Sequence, residues 1–122
     1  MPLTQSPAFF SSASVISEKI EFAPGWLQDR AGRQYRLLKN ITQIGREDDQ
    51  DVRFSELTVS RRHALIRCEQ YGRVDVFVLD AIGKSETALN GVILGKDAKQ
   101  LYDGDRIRLG TVELTFFTQA GQ

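Results

Sequence analysis

Short apolar runs separated by turn-forming residues fill the sequence from residue 31 onward, and they restrict the fold more than any other feature. The runs at residues 74–79 and 112–117 are rich in Val, Leu and Phe, and clusters of Gly, Asp, Asn and Ser separate neighbouring runs. Such segments are typical of short strands joined by tight turns. No window keeps a helical apolar period over the roughly ten residues of an ordinary helix. The sequence therefore predicts an all-β protein, a small sandwich or barrel.

The length and composition are those of one domain. A chain of 122 residues that is 41% apolar can bury roughly two-thirds of its unfolded surface in a single core. The pattern divides the chain into four segments: a flexible polar N-terminal tail at 1–17, an N-terminal extension or connector at 18–30, the folded domain at 31–118, and a C-terminal tail at 119–122.

Charge and cysteine content exclude several classes of protein. The 16 basic residues balance the 16 acidic ones, so no broad basic surface for nucleic acid is expected. One Cys and one His can form neither a disulfide nor a four-ligand zinc site. No apolar run approaches the roughly 20 residues that span a bilayer. We therefore predict a cytoplasmic monomer without metal, cofactor, nucleic-acid partner or membrane partner.

Three loops between predicted strands carry groups that suit an anion. Hydroxyl donors and guanidinium forks satisfy phosphate oxygens, and loops held by a rigid sandwich are the usual carriers of function. If the three loops meet at one end of the sandwich, their cations and donors would surround a single dianion. The acidic residues within 47–51 and the side chain of Arg62 are predicted to be solvated surface. The candidate binding residues are Arg46 in the first loop, Ser60 and Arg61 in the second, and Lys84, Ser85 and Thr87 in the third.

These segments resemble, in order and spacing, the forkhead-associated (FHA) domain. The resemblance extends over residues 31–118 and includes Ile44-Gly45-Arg46, the Ser60 to His63 motif, Asn90-Gly91 and the run at 101–110. It implies a β-sandwich of about eleven strands whose apical loops bind phosphothreonine peptides. The implied function is that of an adaptor in Ser/Thr kinase signalling, without enzymatic activity.

The resemblance also implies a role for each matching residue. Arg46 would contact the phosphate and the peptide backbone, and Ser60 would donate its hydroxyl to a phosphate oxygen. Arg61 stands where the family often contacts the peptide. The residues expected to support the loops rather than touch the ligand are Gly45, His63, Asn90 and Gly91.

The third loop departs from the family pattern. Ser85-Glu86 stands where the family usually has Asn-Gly, and Gly83-Lys84 stands where it has Ser-Thr. Serine has one O–H donor, whereas an Asn amide both donates and accepts, so weaker clamping of the peptide backbone is expected. The extra cation of Lys84 would compensate through the phosphate. The departure also leaves open an alternative, a phosphate-independent structural or assembly module on the same fold.

Overall fold

The computed structural model describes residues 24–119, and these residues form two β-sheets. The predicted tail at 1–17 lies outside the described residues, as do residues 120–122. The described part of the chain contains eleven strands, numbered in chain order: β1 Gly25–Asp29, β2 Gln34–Arg36, β3 Ile41–Gly45, β4 Val52–Arg53, β5 Ala64–Tyr71, β6 Val74–Ala81, β7 Thr87–Leu89, β8 Val92–Ile93, β9 Lys99–Leu101, β10 Arg106–Leu109 and β11 Val112–Thr118.

The strands are divided between a five-stranded and a six-stranded sheet. The first has the order β9-β6-β5-β3-β4 and the second the order β2-β1-β11-β10-β7-β8. All neighbouring strands are antiparallel except β3 and β4. The prediction of an all-β sandwich with about eleven strands is confirmed. Within residues 24–119, no helix is long and apolar enough to cross a membrane.

One apolar core joins the two sheets. Phe77 of β6 and Phe116 of β11 come from different sheets, and their ring centroids lie 5.0 Å apart. Leu27, Ile44 and Leu109 are fully buried around them. The alternation of inward apolar and outward polar residues along each strand supplies this core.

The structure differs from the sequence prediction at residues 25–29, which the sequence pattern places in the connector at 18–30. They form β1, which pairs with both β2 and β11. Leu27 points into the core, while Trp26 stacks on Phe117 with ring centroids 5.7 Å apart. The turn signal at Pro24-Gly25 lies at the start of this strand, so the folded domain includes residues that the prediction placed before it.

Strand register brings the three candidate loops to the same end of the five-stranded sheet. Ile44, near the end of β3, pairs with Ala64 at the start of β5, and Ala64 pairs with Ala81 at the end of β6. Val52 of β4 is the parallel partner of Ile44. The chain therefore leaves β3 and β6 and enters β5 at neighbouring points, which places the loops side by side.

Candidate anion-binding site

The first two loops are joined directly through their backbones. The Arg46 amide donates to the carbonyls of Ser60 (3.1 Å) and Arg61 (3.0 Å), and the Glu47 amide donates to Arg61 (3.2 Å). Gly45 lies so close to this crossing that a Cβ there would overlap the Arg61 carbonyl. The position of Arg46 is therefore determined by the second loop as well as by its own strand.

The buried His63 side chain connects the second loop to the third. Its Nδ1 accepts a hydrogen bond from the Ser60 amide (3.0 Å), and its Nε2 lies 3.0 Å from both the Glu86 carbonyl and the Thr87 hydroxyl. Because Nδ1 accepts, the proton of the neutral ring sits on Nε2. These are the bracing contacts that the resemblance implied for His63.

The structure buries Thr87 and does not bring this predicted binding residue to the pocket that the three loops enclose. Only 2% of its surface is exposed, and its hydroxyl faces His63. As the first residue of β7, Thr87 points between the sheets. Its role is to complete the hydrogen bonding of the buried imidazole.

Asn90 and Gly91 form the turn between β7 and β8, both with positive φ, 51° and 86°. The Asn90 side chain accepts a hydrogen bond from the Arg106 amide (2.9 Å) and donates to Asp105 (3.0 Å). These two residues support a hairpin and the start of β10, and neither of them lines the pocket that the three apical loops enclose.

The three loops enclose an open pocket of about 480 Å³. Five of the six predicted binding residues line it, and Thr87 is the exception. Sequence reasoning had not assigned the other lining residues to the site. The pocket is lined by Arg46, Leu57, Val59, Ser60, Arg61, Arg62, Ile82, Gly83, Lys84 and Ser85.

Arg46 is half-buried and oriented by the second loop. Its Nε donates to the Val59 carbonyl at 3.0 Å. Among the contacts of residues 24–119, none engages its two terminal nitrogens. An arginine held through Nε presents its two terminal nitrogens as a fork of donors, the geometry that suits a phosphate or carboxylate.

The acidic residues of the first loop form local ion pairs. Arg62 contacts Asp49 (2.8 Å) and Glu47 (3.8 Å), and Arg53 contacts Asp48 (3.1 Å). A hydrogen bond from the Gln50 side chain, with Arg62 nearby, lowers the pKa of Asp49 below its usual value. The acidic face is solvated, as predicted, and its side chains also form ion pairs.

In the described part of the chain, Arg46, Arg61 and Lys84 form no ion pair, although all three line the pocket. Arg61 and Lys84 are exposed. Three cations without acidic partners give the pocket a local positive charge that the zero net charge of the chain conceals.

Ser60 and Ser85 form a hydroxyl pair on the pocket wall. The Ser60 hydroxyl accepts from the Ser85 amide (2.9 Å) and donates to the Ser85 hydroxyl (2.7 Å). Ser85 thus keeps its own O–H for a further acceptor. This coupling leaves the O–H of Ser85, rather than that of Ser60, available on the pocket wall.

The stability of the fold is expected to fall over the pH range just above and below 6.5, the ordinary pKa of histidine, because of His63. Burial lowers its pKa below the ordinary 6.5, and protonation would place a proton where Nδ1 accepts from Ser60. Well above pH 6.5 the ring is neutral in both states. As the pH falls, the unfolded chain binds the proton more readily than the folded chain, so the free energy of unfolding decreases.

Urea unfolding at several pH values checks this expectation. His63 is the single histidine of the chain, and model carboxyl groups titrate lower, near 4. The variant His63→Gln should be less stable overall but should lose most of the pH slope in this range. An equal slope in both proteins would contradict the assignment.

The fold and the pocket together define a β-sandwich recognition domain with its binding loops at one end. A family model for the FHA domain matches residues 42–110. Since this match covers more than half of the chain, the chain belongs to the FHA domain family.

Related proteins agree with this family. The glycogen accumulation regulator GarA of Mycobacterium tuberculosis is 34% identical over 93 residues, 72% of this chain and 51% of GarA. The chain spans about half the length of the curated relatives it matches. Mycobacterium tuberculosis EmbR, solved in complex with a low affinity phosphopeptide, is 30% identical, with a TM-score of 0.70 over 90% of this chain and 29% of EmbR.

A further solved FHA domain, described for its phosphothreonine-dependent interactions, is 35% identical with a TM-score of 0.66. The match covers 78% of this chain and 96% of that domain.

Within residues 24–119, no group of three or more His, Cys, Asp or Glu side chains could hold a metal ion.

Proposed function

We propose that this chain is a phosphothreonine-peptide binding module that acts as an adaptor in Ser/Thr kinase signalling, as a cytoplasmic monomer without catalytic activity. The observation that carries the proposal is the fork of Arg46, oriented by Val59 into a pocket with two further cations that lack acidic partners. A phosphorylated threonine carries about −1.5 to −2 charges and three acceptor oxygens. A compact group of this charge matches a small cationic pocket.

Each predicted binding residue that lines the pocket has a part in this proposal. Arg46 binds phosphate oxygens through its two terminal nitrogens, while Arg61 and Lys84 approach from the exposed rim. Ser85 donates its O–H to a phosphate oxygen, and Ser60 orients it. The hydrogen bond from Ser60 to Ser85 polarises that donor. Lys84 and the hydroxyl pair together take over the part that Asn has elsewhere in the family.

The relatives support the same ligand class. EmbR is described with a bound phosphopeptide, and another FHA domain is described by phosphothreonine-dependent interactions. Both are at least 30% identical to this chain and share its fold. The folded domain that would bind the peptide includes residues 25–118.

The alternative of a phosphate-independent assembly module is favoured by one observation. Ser60 and Ser85 already satisfy each other in part, so the pocket has one hydroxyl donor fewer than its sequence suggests. In that case the loops would bind a folded partner whether or not it is phosphorylated.

A calorimetric titration separates the two functions. The protein is titrated with a phosphothreonine peptide and with the same peptide carrying unmodified threonine. Two charge-assisted hydrogen bonds of about 1.5–3 kcal/mol each correspond to a difference of roughly a hundredfold or more in affinity. Equal affinity for both peptides would refute phosphothreonine recognition and favour the alternative.

A further inference from the structure

A groove of about 260 Å³ lies on the outer face of the six-stranded sheet. It shares no residue with the pocket that the apical loops enclose. Strands β1, β11 and β10 lie side by side beneath it, and Ala88 of β7 adds one edge. Pockets for drug-sized ligands usually measure roughly 300–1,000 Å³, so this groove suits a smaller organic molecule.

Strand alternation turns charged side chains toward the groove. On β10 the core residue Ile107 points inward, so Arg106 and Arg108 point outward. On β11 the cross-strand partner of Arg108 is Glu113, which therefore lies on the same face. Ala88 is the partner of Arg108 on its other side. Because Ala88 carries only a methyl group, it leaves space between its longer neighbours.

Three charged residues that line the groove have no partner in the described part of the chain. Arg30, Arg106 and Glu113 are exposed, and their side chains form no ion pair or hydrogen bond within residues 24–119. The third arginine of the groove, Arg108, already contacts Glu86 at 3.5 Å. The unpaired groups of the groove are therefore two cations and one anion.

The other carboxylate of the groove, that of Asp29, is engaged by the turn between β1 and β2. It accepts hydrogen bonds from the backbone amides of Ala31 (3.0 Å) and Arg33 (2.8 Å) and from the Tyr35 hydroxyl (3.2 Å). These bonds order the turn that carries Arg30. Asp29 thus stabilises the turn and does not neutralise the Arg30 guanidinium.

We propose that this groove binds a free acidic amino acid such as glutamate, at a second ligand site that goes beyond the proposed function and does not depend on it. The two carboxylates of the ligand accept hydrogen bonds from Arg30 and Arg106, whose planar forks suit carboxylates. The ammonium group of the ligand donates to Glu113. A simple dicarboxylate would face the like charge of Glu113, and a simple amine would be repelled by both arginines.

NMR titration of the isotope-labelled protein tests this site, because the backbone amides of β1, β10 and β11 report binding residue by residue. The ligands are L-glutamate, glutarate, which lacks the ammonium group, and 4-aminobutanoate, which lacks the α-carboxylate. Each is titrated into the wild type, Arg106→Gln and Glu113→Gln. Arg36→Gln is the matched control, since Arg36 is exposed on β2 of the same sheet but does not line the groove. Arg46→Ala removes the fork of the apical pocket and leaves the groove unchanged.

L-glutamate should shift the amides around the groove in the wild type, Arg36→Gln and Arg46→Ala, with a dissociation constant in the millimolar range or below. Loss of one charge-assisted contact, on the ligand or on the protein, should weaken binding by about tenfold or more. The proposal is wrong if the groove amides do not shift, or if glutarate binds as tightly as L-glutamate. Shifts that survive in both Arg106→Gln and Glu113→Gln, or that require Arg36 or Arg46, would also overturn it. None of these outcomes changes the expectation for phosphothreonine peptides.

Discussion

Arg46→Ala is expected to lower the affinity for a phosphothreonine peptide by roughly a hundredfold or more and to leave the fold intact. The wild-type side chain lines the pocket, with one N–H engaged by Val59 and four on two terminal nitrogens that no contact of residues 24–119 engages. Two charge-assisted bonds to phosphate contribute about 1.5–3 kcal/mol each. Since Arg46 is half-buried at a loop and outside the core, alanine there should cost little stability. Isothermal titration measures the loss directly.

Two further variants separate the fork from the charge alone. Arg46→Lys keeps one cation but loses the bond to Val59 and the bidentate geometry, so its affinity should fall between wild type and Arg46→Ala. Arg73→Ala removes the same charge from the β5–β6 turn, at the other end of the sandwich, and should bind normally. An Arg46→Ala protein that binds within about threefold of wild type would contradict the site.

Much of the site could be predicted because it follows from strand register. The apolar pattern around Ile44 and in the strand that begins at Ala64 identifies β3 and β5, and their antiparallel pairing brings Arg46 beside Ser60 and Arg61. Loops that leave neighbouring strands at one end of a sheet have to lie close together. The chemistry of short polar segments was therefore informative once the strands around them were known.

The sequence prediction differs from the structure where a long-range contact determines the position of a strand or a side chain. β1 forms a local hairpin with β2, but its place inside the sheet comes from its pairing with β11, whose residues lie about ninety positions later in the chain. Thr87 was assigned to the ligand because it is polar and lies in a polar segment. Its inward orientation depends on β7 pairing with β10 and on the buried His63 that needs its hydroxyl.

The charge of the pocket could not be predicted from the sequence either. Equal numbers of acidic and basic residues say nothing about which charges meet. Arg62 forms ion pairs with Glu47 and Asp49, and Arg53 forms one with Asp48. Only the folded arrangement separates these paired residues from the cations that line the pocket without an acidic partner, and this separation permits anion binding by a chain without net charge.

Gly45→Ala is expected to destabilise the fold by about 3 kcal/mol and to abolish phosphopeptide binding. Gly45 has no left-handed backbone conformation, so the requirement is space alone. A Cβ at this position would overlap the Arg61 carbonyl and approach the Arg62 Cα, and backbone atoms cannot rotate out of the way. Relief of the overlap would separate the first two loops and break the bonds of the Arg46 amide.

Gly95→Ala is the matched control for this substitution. A Cβ at Gly95 would have no atom within 4 Å, and its φ is not in the left-handed range, so stability should change by no more than about 0.5 kcal/mol. Urea unfolding and peptide titration of both variants measure stability and binding separately. A Gly45→Ala protein as stable as Gly95→Ala would show that the first two loops can move apart at no cost. The backbone crossing of Gly45 over Arg61 would then not determine where Arg46 lies.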